Sequence, residues 1–78
     1  MKIHLWGELG FYGPGRTGRF EVTLERETPI AEFLRQEGVP VADIAVAGLN
    51  GEIVRLGDPA VTVAGGDRLD LFPPSSGG

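Results

Sequence analysis

An α+β domain, with a mixed sheet covered on one face by one main helix, is the fold class predicted by this sequence of 78 residues. Three observations predict it. Stretches near the two ends, "KIHLW" at 2–6 and "RLDLF" at 68–72, alternate apolar and polar residues with the period of a half-buried strand. One segment between them, from Thr28 to Gly38, switches to a helical period. Asn50-Gly51 stands between β-prone residues, and a type I′ hairpin turn requires the positive φ that this pair tolerates.

Taken in order, Ile3 and Leu5 point one way from the first strand, and Lys2, His4 and Trp6 the other. Residues 7–18, "GELGFYGPGRTG", are too rich in Gly and Pro for regular structure and read as a loop. "RFEVTLE" at 19–25 alternates again, with Phe20, Val22 and Leu24 on one face, so the two runs form an antiparallel hairpin. Thr28 is placed as an N-cap and Pro29 at the first helical position, where its missing N–H costs nothing. Ile30, Phe33 and Leu34 then make one apolar stripe. Gly38 ends the helix, roughly residues 29–37, and Pro40 stops it from resuming. "DIAVAGLN" at 43–50 is a strand that turns at Asn50-Gly51 into a returning strand begun by Ile53 and Val54. "LGDPAVTVAGGD" at 56–67 is turn-rich, with room for one short helical turn, and Asp58 and Asp67 shape turns within it. In the last strand Leu69 and Leu71 oppose Arg68, Asp70 and Phe72. The order β-β-α-β-β-β is that of the β-grasp (ubiquitin-like) fold, in which the first and last strands run parallel at the centre of the sheet. Residues 1–72 make up this single domain and residues 73–78 a flexible C-terminal tail ending in Gly-Gly.

Composition narrows the function classes. A hydrophobic content of 41% and a mean hydropathy near zero describe a globular chain. No apolar run reaches the roughly 18 residues of a membrane span, so no membrane partner is expected. The start, "MKIHLWGELG", lacks the apolar region of a signal peptide, and a cytoplasmic location is expected. A net charge of −4 disfavours nucleic acid, which rewards clustered Lys and Arg. The chain has no cysteine and a single histidine, His4, which leaves no thiolate site, no disulfide and no metal site of ordinary composition.

Three stretches in this order, "NGEIV" at 50–54, "GGDRLDLFPP" at 65–74 and Gly77-Gly78, resemble the MoaD/ThiS family of ubiquitin-like sulfur carriers. Phe72-Pro73-Pro74 is more similar to the small subunit of molybdopterin synthase than to the carrier of the thiamine pathway. Two features depart from the family pattern: Ser75-Ser76 replaces the hydrophobic residues common before Gly-Gly, and loop 7–18 is longer and richer in Gly. The resemblance implies a sulfur carrier, not catalytic alone, whose Gly78 carboxylate is adenylated and converted to a thiocarboxylate, with Gly77 beside it. It implies an E1-like adenylating enzyme of the MoeB/ThiF type, which uses the ATP, and the large subunit of molybdopterin synthase or another sulfur acceptor as partners. No cofactor is expected on the chain itself.

The chemistry suits those residues. An α-carboxyl group titrates at about 3.3–3.7 and is a poor electrophile when ionised, so activation must precede sulfur transfer. Glycine leaves the carbonyl carbon uncrowded and lets the tail thread a narrow channel. Pro73-Pro74 favours an extended path, and six residues past Phe72 reach roughly 20 Å at about 3.3–3.6 Å each. Without cysteine, the carboxyl terminus is the only plausible place for a covalent sulfur load.

His4, Trp6 and Phe72 share the face turned away from the helix, and the neighbouring first and last strands bring them together as a docking patch at the root of the tail, next to Pro73 and Pro74. Partial burial under loop 7–18, with its Phe11 and Tyr12, is the competing expectation. "GFYGPGRT" at 10–17 imitates a phosphate-binding loop, but Arg16 stands where Lys is required and a strand follows instead of a helix. Within the carriers, the thiamine-thiazole, tRNA-thiolation and tungsten-cofactor pathways stay open. So do a ubiquitin-like protein modifier and a non-covalent β-grasp binding module.

Overall fold

The computed structural model describes residues 1–74, so Ser75, Ser76 and the expected site at Gly77 and Gly78 lie outside the described residues. Along the chain come β1 (Lys2–Leu5), β2 (Arg19–Glu21), β3 (Thr28–Pro29), the helix α1 (Ile30–Glu37), β4 (Val46–Leu49), β5 (Glu52–Val54), β6 (Thr62–Val63) and β7 (Arg68–Phe72). Five strands form one mixed sheet in the order β2-β1-β7-β4-β5. Among the described residues its only parallel pair is β1 with β7, in the register Lys2↔Arg68 to Leu5↔Leu71. This is the β-grasp arrangement expected from the element order.

The alternation of the two central strands builds the core. Ile3, Leu5, Leu69 and Leu71 are buried against Ile30, Phe33 and Leu34 of the helix, and Met1, Leu9, Val39, Ala47 and Val63 belong to the same cluster. Phe20, Val22 and Leu24 pack against it as expected, although β2 ends at Glu21 and Val22 and Leu24 lie beyond the strand expected over 19–25. Gly38 ends the helix in the left-handed region, its N–H donating to Arg35 O and Leu34 O while Val39 N–H returns to Leu34 O.

Four other local expectations change. Thr28 does not cap the helix. Thr28 and Pro29 form β3, which pairs with β6, and the Thr28 hydroxyl donates to Arg26 O. Pro29 stands at the N-cap with no side-chain cap, and the first helical N–H, from Ile30, finds its acceptor in Val61 O. A tertiary partner thus does what a capping side chain would have done. Residues 7–18 are not irregular throughout: Gly7–Tyr12 and Pro14–Arg16 are 3₁₀ turns, and Leu9 is buried in the core. The fourth strand starts only at Val46, because Val41–Asp43 winds into a 3₁₀ turn after Pro40. Residues 56–67 hold turns and β6 rather than a helical turn.

The Asn50-Gly51 turn has the positive φ values that a type I′ hairpin requires, 53° and 86°. Asn50 also does something no local pattern announced. Its side-chain oxygen accepts from Arg68 N–H (2.9 Å), and its amide donates to Asp67 Oδ1 (3.0 Å). The other Asp67 oxygen accepts from Ala64 N–H (2.8 Å), so this carboxylate shapes its own turn, as expected, and ties the hairpin to the start of β7.

Leu71 is fully buried beneath the helix on the central strand. Leu71→Ala should destabilise the domain by about 2–5 kcal/mol, as for other large-to-small core changes. Urea denaturation should show a lower midpoint with an unchanged slope.

Candidate functional site

Because β1 and β7 are parallel, both leave the sheet at the same end, and the residues that follow them are neighbours. Trp6 N–H donates to Leu71 O (2.9 Å), which fixes the backbone where the first strand gives way to the Gly7–Tyr12 turn. The open side chains of this end then stack. The rings of His4 and Trp6 lie 3.8 Å apart at an interplanar angle of 25°, and those of Trp6 and Phe72 lie 5.3 Å apart at 18°. Trp6 keeps 40% of its surface exposed. The patch is therefore open, and loop 7–18 does not cover it. Leu9 holds that loop to the core on another side, leaving Phe11 and Tyr12 facing outward.

The stack borders a shallow hollow of about 870 Å³ on the open sheet face, lined beside Phe72 by its register partner Val46 and farther out by Ile53 on β5. Ile53 is 81% exposed, which makes the hollow's rim apolar well away from the aromatic end. Asp70 sits at its centre. One carboxylate oxygen accepts from Trp6 Nε1–H (3.1 Å) and is 3.9 Å from His4 Nδ1, while the other is 3.3 Å from Arg68 Nε. Sequence reasoning put Asp70 on this face but gave it no role. The signal available was its shared face with Trp6, and only the strand register turns that into a contact.

The tail root is shaped from the other side by Gly7. This residue has a φ of 56°, and a Cβ there would stand 3.1 Å from Pro73 Cγ. Gly7 thus permits both the left-handed turn out of β1 and the close passage of Pro73, which is half-buried. Pro74 follows along a notch it shares with Glu8, Leu9, Phe11, Tyr12 and Asp43. The Tyr12 hydroxyl donates to Asp43 Oδ2 (2.7 Å), joining the loop after β1 to the turn before β4. Residues 10–17, the phosphate-loop imitation, run through the two 3₁₀ turns into β2, with no helix N-terminus to hold an anion. Among the described residues no group of three His, Cys, Asp or Glu side chains could hold a metal ion, and no helix is long and apolar enough to cross a membrane.

The structure therefore brings together His4, Trp6, Phe72, Pro73 and Pro74 around the start of the tail. The profile of the ThiS family matches residues 11–78, from the loop after β1 through Gly78. The chain belongs to the ThiS family. No curated protein matches it. ThiS-family proteins are ubiquitin-like sulfur carriers, small and not themselves catalysts, that work with E1-like activating enzymes and sulfur acceptors. The open geometry of this ThiS-family chain fits that description: a sheet face bearing apolar side chains, with Pro73 and Pro74 following the end of its central strand.

Tyr12 is the only tyrosine, so its titration can be read directly. Its hydrogen bond to Asp43, some desolvation and the nearby charges of Asp43 and Glu8 raise its pKa above the ordinary value of about 10. The hydroxyl holds its proton because the phenolate would face a carboxylate. Its contribution to stability is accordingly complete below the unfolded value and lost as pH rises through the raised one. An ultraviolet absorbance titration should find the midpoint above that of free tyrosine, and Asp43→Ala should return it toward that value.

Proposed function

We propose that this ThiS-family chain carries sulfur as a thiocarboxylate on Gly78 and delivers it in molybdopterin (molybdenum cofactor) biosynthesis. The observation that carries the reading is the family match running through Gly78, joined to an open aromatic platform at the root of the same tail. The chain has no cysteine, so the carboxyl terminus is where sulfur can be loaded. A MoeB/ThiF-type enzyme joins the Gly78 carboxylate to AMP from ATP, releasing pyrophosphate. Hydrosulfide or an equivalent sulfur nucleophile then attacks the carbonyl carbon and AMP leaves, so one carboxylate oxygen departs with AMP and sulfur takes its place. The thiocarboxylate is the better nucleophile and passes its sulfur to a substrate held by an acceptor such as the large subunit of molybdopterin synthase.

In this reading the two partners grip the platform while the tail reaches inward. His4, Trp6 and Phe72 supply the apolar contact, and Pro73-Pro74 keep the tail extended. Gly77 and Gly78 enter the partner's pocket, where the partner supplies the catalytic side chains. The assignment to molybdopterin rests on the likeness of Phe72-Pro73-Pro74 to the small subunit of molybdopterin synthase.

Intact-mass measurement after incubation with the activating enzyme, ATP and a sulfur donor should show one oxygen replaced by sulfur. The loaded chain, mixed with a molybdopterin synthase large subunit and its precursor, should then lose that sulfur to product. Deleting Gly77-Gly78 should abolish loading, and Phe72→Ala should weaken partner binding by roughly tenfold, as for truncation of a buried aromatic anchor. Loading without transfer to that acceptor would move the carrier to the thiazole, tRNA-thiolation or tungsten-cofactor pathways. Stable lysine-linked adducts would make it a protein modifier.

A further inference from the structure

We infer that Asp70 is a positioning residue for docking: its carboxylate holds the Trp6 indole in one of the two orientations in which the ring can stack with His4 and Phe72. What the platform docks rests on the sulfur-carrier reading above, whereas how it is held rests on the geometry of this chain.

Trp6 lies one residue past β1, with its backbone tied to Leu71 O but its side chain 40% exposed. An indole so placed has two side-chain torsions to settle. Stacking alone does not settle both, because turning the ring over preserves most of the contact with His4 and Phe72 while sending Nε1 to the opposite edge. The hydrogen bond from Nε1–H to Asp70 Oδ1 distinguishes the two orientations. Asp70 is itself held, with a side chain only 19% exposed and its second oxygen 3.3 Å from Arg68 Nε. On the β4 side its register partner is Gly48, so no side chain there competes for the carboxylate. On the β1 side its register partner is His4, which stacks on the same indole.

A carboxylate at the centre of a surface that becomes covered on docking costs desolvation free energy unless its hydrogen bonds are already in place. Here two oxygens face two donors before any partner arrives. The return is preorganisation, since a side chain ordered in the free protein need not be ordered on binding. A carrier is recognised at least twice, for loading and for unloading, and a rigid platform offers both partners the same surface.

The test uses the full chain with the MoeB/ThiF-type activating enzyme of the same organism, following carrier-dependent pyrophosphate release. Asp70→Ala should raise the KM for the carrier by about two- to tenfold, the size expected for ordering one large side chain, and leave kcat unchanged. Asp70→Asn keeps an oxygen acceptor for the indole and should restore KM to near that of the parent chain. Trp6 is the only tryptophan, so its fluorescence anisotropy reports ring mobility with no partner present. It should fall in Asp70→Ala and hold in Asp70→Asn. In a Trp6→Phe background, which has no N–H to hold, Asp70→Ala should change KM no further. Unchanged anisotropy and KM in Asp70→Ala would overturn the inference. So would Asp70→Asn behaving like Asp70→Ala, or independent effects of the two positions. If the parent chain supports no pyrophosphate release, the carrier reading fails with the docking role, and the anisotropy alone still decides whether Asp70 holds Trp6.

Discussion

The parallel pairing of β1 with β7 is the constraint on which the rest of this molecule depends. It is the only parallel contact among the described strands of the sheet and joins residues 2–5 to residues 68–71 across most of the chain. Its register puts Ile3 beside Leu69 and Leu5 beside Leu71, all four beneath the helix. A slip of one residue would turn Arg68 and Asp70 into the core and Leu69 and Leu71 out to solvent, which the burial of those leucines forbids. The Asn50–Asp67 clasp pins the N-terminal end of β7 and, through the β4–β5 hairpin, supports the same register.

Parallel direction has a second consequence. Antiparallel strands would carry their ends to opposite edges, whereas β1 and β7 release their chains side by side. The loop that begins at Gly7 and the tail that begins at Pro73 therefore start in contact, and Gly7 has no side chain to obstruct Pro73. The loop's Leu9 is drawn into the core, and Tyr12 reaches across to Asp43. These contacts leave the aromatic stack uncovered while defining the surface along which Pro74 departs. Core packing, register and tail exit are thus one problem with one solution: the strand pair that buries four aliphatic side chains also brings His4, Trp6 and Phe72 together on the opposite face.

Much of this was legible in the residues because it follows from short periods. Alternation in "KIHLW" and "RLDLF" assigns every inward and outward side chain of the two central strands, and all of these assignments hold. The hairpin at Asn50-Gly51 and the helix end at Gly38 were legible for a related reason, since positive φ restricts the residue types that fit. Errors fell where a distant partner replaced a local rule. Thr28 looked like a cap, but β6 takes Thr28-Pro29 into a strand pair and Val61 satisfies the first helical N–H. Loop 7–18 looked irregular because Gly and Pro dominate it, and the burial of Leu9 that orders it is a long-range packing effect.

The sequence by itself determined the fold class, the two faces of the sheet, the family resemblance and the set of side chains gathered at the tail root. Each of these depends on residue type and spacing within a few positions. Tertiary structure alone decided that the platform is open, that Asp70 holds the Trp6 indole, that Asn50 clasps Asp67 and that Gly7 makes room for Pro73. Those outcomes join residues separated by 17 to 66 positions, and their contacts exist only once strand order and register have been set.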